Sequence, residues 1–208
     1  MGLRRTDHAE PLREVQPRHY PRDVNGLLNQ LRDGDAEQRR WAARDLAGEA
    51  AAAQMLGVRL LAERDGRVRE ALLTSLSATP CEAAVNALLP LLRSEDPTLR
   101  NGAIEALATM PELVGPRIER LLHDRDADVR IFTVNLLGEL RHAEVPQWLL
   151  QVLQGDTEVN VVAAAIEVLA EVGDPSHEAA LRQAAGRFTQ DPFIGFATEM
   201  AIERVCKG

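Results

Sequence analysis

Apolar and polar residues alternate along this chain with the step of a helix. Val68, Leu72 and Leu76 stand four apart, as do Leu99, Ala103 and Leu107, and apolar side chains at that spacing line one face of an α-helix. Each such stretch follows a shorter apolar segment that ends in a pair, Leu60–Leu61, Leu91–Leu92, Leu121–Leu122 or Val152–Leu153. An acid separates the two: Asp65, Asp96 and Asp126. A carboxylate there can accept hydrogen bonds from the free N–H groups of a first helical turn, and a proline just after it, as at Pro97 and Pro192, suits the first helical position. The pattern predicts pairs of helices joined by short turns.

The pairs recur. Setting residues 91–110 above 121–140 aligns Asp96 with Asp126, Leu99 with Val129, Arg100 with Arg130 and Leu107 with Leu137. The same frame finds Asp65, Val68, Arg69 and Leu76, and before them Asp35, Arg39 and Leu46. After one inserted residue it finds Glu158, Val161 and Leu169, and at the end Asp191, Ile194 and Ile202. A fixed period of this length marks a repeat array, in which neither helix of a unit can hide its apolar face alone and stacking buries both. The Arg column stops after four copies, where Val162 and Gly195 replace it, and Gln38 stands in the Val column of the first copy. Five places after the Val column, Leu73, Ile104, Val134 and Ile166 predict contact with the following repeat, and Glu199 in copy six predicts a polar end face.

The units "DPTLRNGAIEALATM", "DADVRIFTVNLLGEL" and "VVAAAIEVLAEVGDP" resemble HEAT repeats of the short bacterial type also found in phycobilisome lyase-like proteins, over roughly residues 22–206. The resemblance implies an all-α fold, an α-solenoid or HEAT-like superhelix of about six two-helix repeats across residues 22–208. Residues 1–21 carry Pro11, Pro17 and Pro21 among charges with no apolar periodicity, and are expected to form a flexible N-terminal leader. Repeats of this kind serve scaffolds, adaptors and a few enzymes, so the resemblance speaks to architecture before function.

Composition agrees with helices. The chain is 45% hydrophobic but only 3% aromatic, so its core must be built of Leu, Ala, Val and Ile. Cys81 and Cys206 are too few and too far apart for a disulfide framework or a metal knot, and a reducing cytoplasm is expected. No run of 18 apolar residues occurs, so no membrane anchor is expected. The 23 Arg against the single Lys207 suggest a GC-rich bacterial genome. Residues 1–22 carry five Arg against Asp7, Glu10 and Glu14, a formal +2, which leaves −10 of the net −8 on the remainder. An acidic body repels phosphate backbones, so nucleic acid is not an expected partner.

Motifs for chemistry are sparse. The Asp and Arg columns recur in unit after unit, which fits capping and neighbour-to-neighbour salt bridges better than a catalytic constellation. His177–Glu178 is similar to the His-Glu pairs of HEAT-like iron hydroxylases, but those sites bring several pairs together. A solvated helix start is expected here, with no metal and no other cofactor. Trp41 and Trp148 are expected to pack, and no Ser-His-Asp arrangement, P-loop or dinucleotide glycine motif is present.

The face opposite the core remains. Positions two and six after the Val column lie there, and in HEAT-like arrays that side of the second helices lines the inner, concave surface. Copies one to three offer polar groups, Arg40, Glu70 and Asn101 with Arg44, Thr74 and Glu105. Copies four to six offer Ile131, Ala163, Phe196 and Met200, with Asn135 and Glu167 beside them. These six residues are the expected binding surface for another protein, through an apolar or amphipathic segment. The expected function is a non-catalytic interaction scaffold or adaptor. The alternative is an enzyme or enzyme subunit of the phycobilisome lyase-like type.

Overall fold

The structure, a computed structural model, describes residues 20–207. Of the expected leader only Tyr20 and Pro21 fall among them; the rest lies outside the described residues. Twelve α-helices follow one another in six antiparallel pairs, with no strand among the described residues. The pairs are α1 (Val24–Asp33) with α2 (Ala36–Asp45), α3 (Ala53–Ala62) with α4 (Gly66–Ser77), and α5 (Glu82–Leu88) with α6 (Pro97–Ala108). They continue with α7 (Pro111–Leu122) and α8 (Ala127–Glu139), α9 (Val145–Gly155) and α10 (Val159–Val172), then α11 (Glu178–Arg187) and α12 (Pro192–Lys207). The array is an all-α solenoid of two-helix repeats, as the thirty-residue register predicts.

The acids between the helices do the work of caps. Asp35 accepts from the Gln38 N–H and completes a capping box, Asp65 accepts from Arg67 and Val68, and Asp96 and Asp126 accept from Thr98 and Asp128. Repeat five departs from the frame, because Glu158 makes no capping bond with its side chain. A glutamate carries its carboxylate one methylene too far for the first-turn N–H groups. Asp156, two residues earlier, accepts from the Glu158 N–H at 2.9 Å instead.

The Arg column binds loops and joins repeats. Each arginine first donates to a carbonyl in the turn of its own repeat: Arg39 to Gly34, Arg69 to Glu63, Arg100 to Ser94 and Arg130 to Asp124, at 2.7–2.9 Å. Three then reach a carboxylate of the next repeat, Arg39 to Glu63, Arg69 to Asp96 and Arg130 to Asp156. Arg100 reaches none among the described residues; Asp124 and Asp126 pair with Arg93, and the Arg100 guanidinium lies 4.2 Å over the Phe132 ring. In repeat five, where Val162 fills the column, Arg187 from α11 reaches back to the Leu153 and Asp156 carbonyls. The turn is held whichever neighbour supplies the guanidinium.

Leu46, Leu72, Leu76, Leu107, Leu136, Leu137 and Leu149 are fully buried in one continuous core. Leu73, Ile104, Val134 and Ile166 are buried too. A Cβ added to Gly102 would lie 2.5 Å from Leu73 Cδ1, so repeats two and three close on each other because glycine leaves room for that leucine. The two leucines that end α3 part company. α3 turns Leu60 inward and leaves Leu61 64% exposed, while the neighbouring Glu63 side chain is drawn inside. Glu199 is exposed on the last repeat and paired with Arg182.

Candidate functional site

The second helices α2, α4, α6, α8, α10 and α12 pack each against the next, for the most part more closely than the first helices do. The stack therefore bends toward them, and their outward side is the inner face of the curve. At its C-terminal end α12 buries Ile194, Thr198, Ala201, Ile202 and Val205. Residues on the opposite side of that helix must face away from the core, and they are large and apolar: Phe193, Phe196 and Met200 are 53%, 66% and 50% exposed. Their spacing of three and four sets them in one stripe. With Ala170 and Ala197 they line a groove of about 770 Å³ between α10 and α12.

Charged groups form its rim. Glu167 and Glu171 stand on α10, Glu203, Arg204 and Lys207 on α12. Arg204 pairs with Glu171 across the groove at 2.6 Å, and Lys207 pairs with Glu203 one turn back. The hydrogen bond from Lys207 holds the Glu203 carboxyl below its usual range, so this rim acid stays ionised. Glu167 has no ion pair or side-chain hydrogen bond among the described residues. A second hollow of about 660 Å³ lies farther along the same face between α4 and α6, lined by Glu70, Thr74, Asn101, Glu105 and Thr109.

Of the six residues expected on the binding surface, the structure brings Glu167, Phe196 and Met200 together at the groove. It places Ala163 and Ile131 otherwise. Ala163 is 8% exposed, because α10 is wedged between α8 and α12 and a methyl group does not reach past its neighbours. Ile131 is half-buried against the core, and Asn135 is exposed on α8 outside the groove. The exposed apolar run read across the last three repeats is thus confined to the last. Phe193 completes it, one place before the Val column; places −1, 2 and 6 fall on one side of a helix, and that spacing is its signal in the sequence.

The His177–Glu178 start is not solvated as expected. His177 is buried, and its Nδ1 accepts from the Asp174 N–H at 3.0 Å, closing a capping box over the turn before α11. Among the described residues no group of three or more His, Cys, Asp or Glu is placed to hold a metal ion. Trp148 is half-buried and stacks on His142 with ring centroids 4.8 Å apart. No helix among the described residues is long and apolar enough to cross a membrane.

Comparison with known proteins adds the lineage. The family of HEAT repeats matches residues 24–108 and 114–197. Solved structures similar to this chain include an engineered protein at 24% identity, with a TM-score of 0.41 over 88% of this chain and 96% of that one. YibA of Escherichia coli is 17% identical, with a TM-score of 0.44 over 88% of this chain and 72% of its own. The complex of CpcE and CpcF of phycocyanin lyase from Nostoc sp. PCC7120 is 16% identical, with a TM-score of 0.40 over 94% and 98%. No curated protein matches the sequence.

Proposed function

We propose that this chain, which belongs to the HEAT-repeat family, is a non-catalytic interaction scaffold whose groove between α10 and α12 holds an apolar or amphipathic segment of another protein. The observation that carries this reading is the exposure of Phe193, Phe196 and Met200 side by side on a helix whose other side already supplies the core. Large apolar side chains grouped at a groove and rimmed by charge are the usual anchor sites of partner segments. Stability of the repeat does not call for them there.

Selection from a displayed peptide library tests it. The wild-type protein is expected to enrich peptides with a large apolar residue, and a Phe196→Gln, Met200→Gln double variant is expected to lose them while staying folded. Equal enrichment by both proteins would remove the groove as the binding site. A chromophore held by the purified protein, seen in its absorption spectrum, would replace the scaffold reading with the lyase-like one.

A further inference from the structure

The groove is apolar, but the face that leads to it is acidic. Glu70 in repeat two, Glu105 in repeat three and Glu167 in repeat five all lie at places two or six of their second helices, exposed on the inner face. None has an ion pair or side-chain hydrogen bond among the described residues. That sets them apart from most carboxylates of the turns, which are tied up as caps or in bridges to the Arg column. Glu70 and Glu105 line the hollow between α4 and α6, while Glu167 stands on the rim of the groove. Arg40 and Arg44 of repeat one end the acidic stretch on the side away from it.

We infer that the occupant is a basic, extended segment of another protein, with cations over Glu70, Glu105 and Glu167 and one bulky apolar residue seated among Phe193, Phe196 and Met200. This rests on the groove being a binding site, as proposed above. Three exposed carboxylates without a cation of their own among the described residues give this face a negative potential, which attracts a chain of opposite charge and repels an acidic one. The spacing follows from the fold. Neighbouring helices are about 10 Å apart and an extended chain advances about 3.4 Å per residue. The cations should therefore fall about three and then about six residues apart, with the apolar anchor about three residues beyond the last.

The test uses the full chain and synthetic fluorescent peptides of that design, made in both chain directions. One form carries three Lys and a Phe anchor. A second replaces Lys by Ser, a third replaces Lys by Glu, and a fourth replaces Phe by Ser. In low salt the Lys form of one direction is expected to bind about tenfold more tightly than the Ser form, the yield of three exposed charge pairs. The advantage should shrink as salt is raised. It should vanish in a Glu70→Lys, Glu105→Lys variant, which still binds the Ser form through its Phe.

Equal binding of the Lys and Ser forms overturns the basic occupant and leaves the groove standing, provided both still depend on Phe196 and Met200. Tighter binding of the Glu form overturns it as well. If no peptide binds, the groove reading fails together with this one. A dimer that forms through Phe196 and Met200 in sedimentation would give the groove to a second copy of the chain and overturn the proposal.

Discussion

Arg130 grips Asp156 of the following repeat with two hydrogen bonds, Nε to Oδ2 at 2.7 Å and Nη2 to Oδ1 at 3.1 Å. The same guanidinium donates to the Asp124 carbonyl, and the same carboxylate accepts from the N–H of Glu158 at the start of α10. One ion pair thereby holds two turns and the seam between two repeats. Both side chains are nearly buried, so little solvent screening weakens it.

Arg130→Lys is accordingly expected to destabilise the protein by about 2 kcal/mol, since an ammonium cannot serve two carboxylate oxygens and a carbonyl at once. Urea unfolding checks it. In an Asp156→Asn background the same change should cost much less, and an unchanged cost would mean that the two residues do not act as a pair.

Glu63 sets a limit in acid. Burial by itself would push its carboxyl up, but bonds from Arg39, from the Asp65 N–H, from Arg59 and from the Arg64 N–H outweigh it and hold it down to about 2, from a usual 4.5. A carboxyl lowered by folding stabilises fully above its usual value and loses that contribution as the pH falls toward its folded value. The contribution, on the order of 3 kcal/mol at neutral pH, should therefore disappear between about pH 4.5 and pH 2. Glu63→Gln should be clearly less stable than wild type at pH 7, with the gap closing through that window. A constant gap from pH 7 to pH 2.5 would contradict the assignment.

Gly57 sits where α3 meets α5, and a Cβ built on it would fall 2.3 Å from Ala87 Cβ. Helix propensity favours alanine there by up to about 1 kcal/mol, whereas overpacking costs about 1–3 kcal/mol. The clash has no flexible side chain to absorb it, so Gly57→Ala should lower the melting temperature. Adding Ala87→Gly should restore part of the loss. A single Gly57→Ala variant that melts higher than wild type would show that the two helices are not this close.

How much of this was legible in the sequence follows from what repeats. Asp65, Asp96 and Asp126 cap their helices as their column predicts, because a cap depends on the local chain alone. Leu73 meets the next repeat at Gly102, and Ile166 is buried, as their column predicts, because the same packing recurs along the array. The departures arise where one repeat differs from its neighbours. Asp156 replaces Glu158 at the turn, Arg187 substitutes for a missing column arginine from another helix, and Leu61 turns out while Glu63 turns in. The candidate site shows the same division. Phe196 and Met200 are exposed because no helix follows α12 among the described residues, while Ala163, at the same place on α10, is covered by the helices on either side. A column assigns one environment to all its members, and the end of the stack is where that fails.

The separation between core and groove gives the last prediction. Leu137 is fully buried in mid-array, and Leu137→Ala should cost about 2–5 kcal/mol, through lost contacts and the cavity left behind. Phe196 and Met200 are larger or as large, yet each has at least half of its surface in water, so removing them forfeits little burial. Glutamine keeps a good helix former at both places. The Phe196→Gln, Met200→Gln double variant should therefore melt within a few degrees of wild type and remain as monodisperse. Helicity and melting followed by circular dichroism, with light scattering alongside, distinguish the two classes of variant. If the double variant unfolds as readily as Leu137→Ala, those side chains belong to the core of the last repeat and are not held out for a partner.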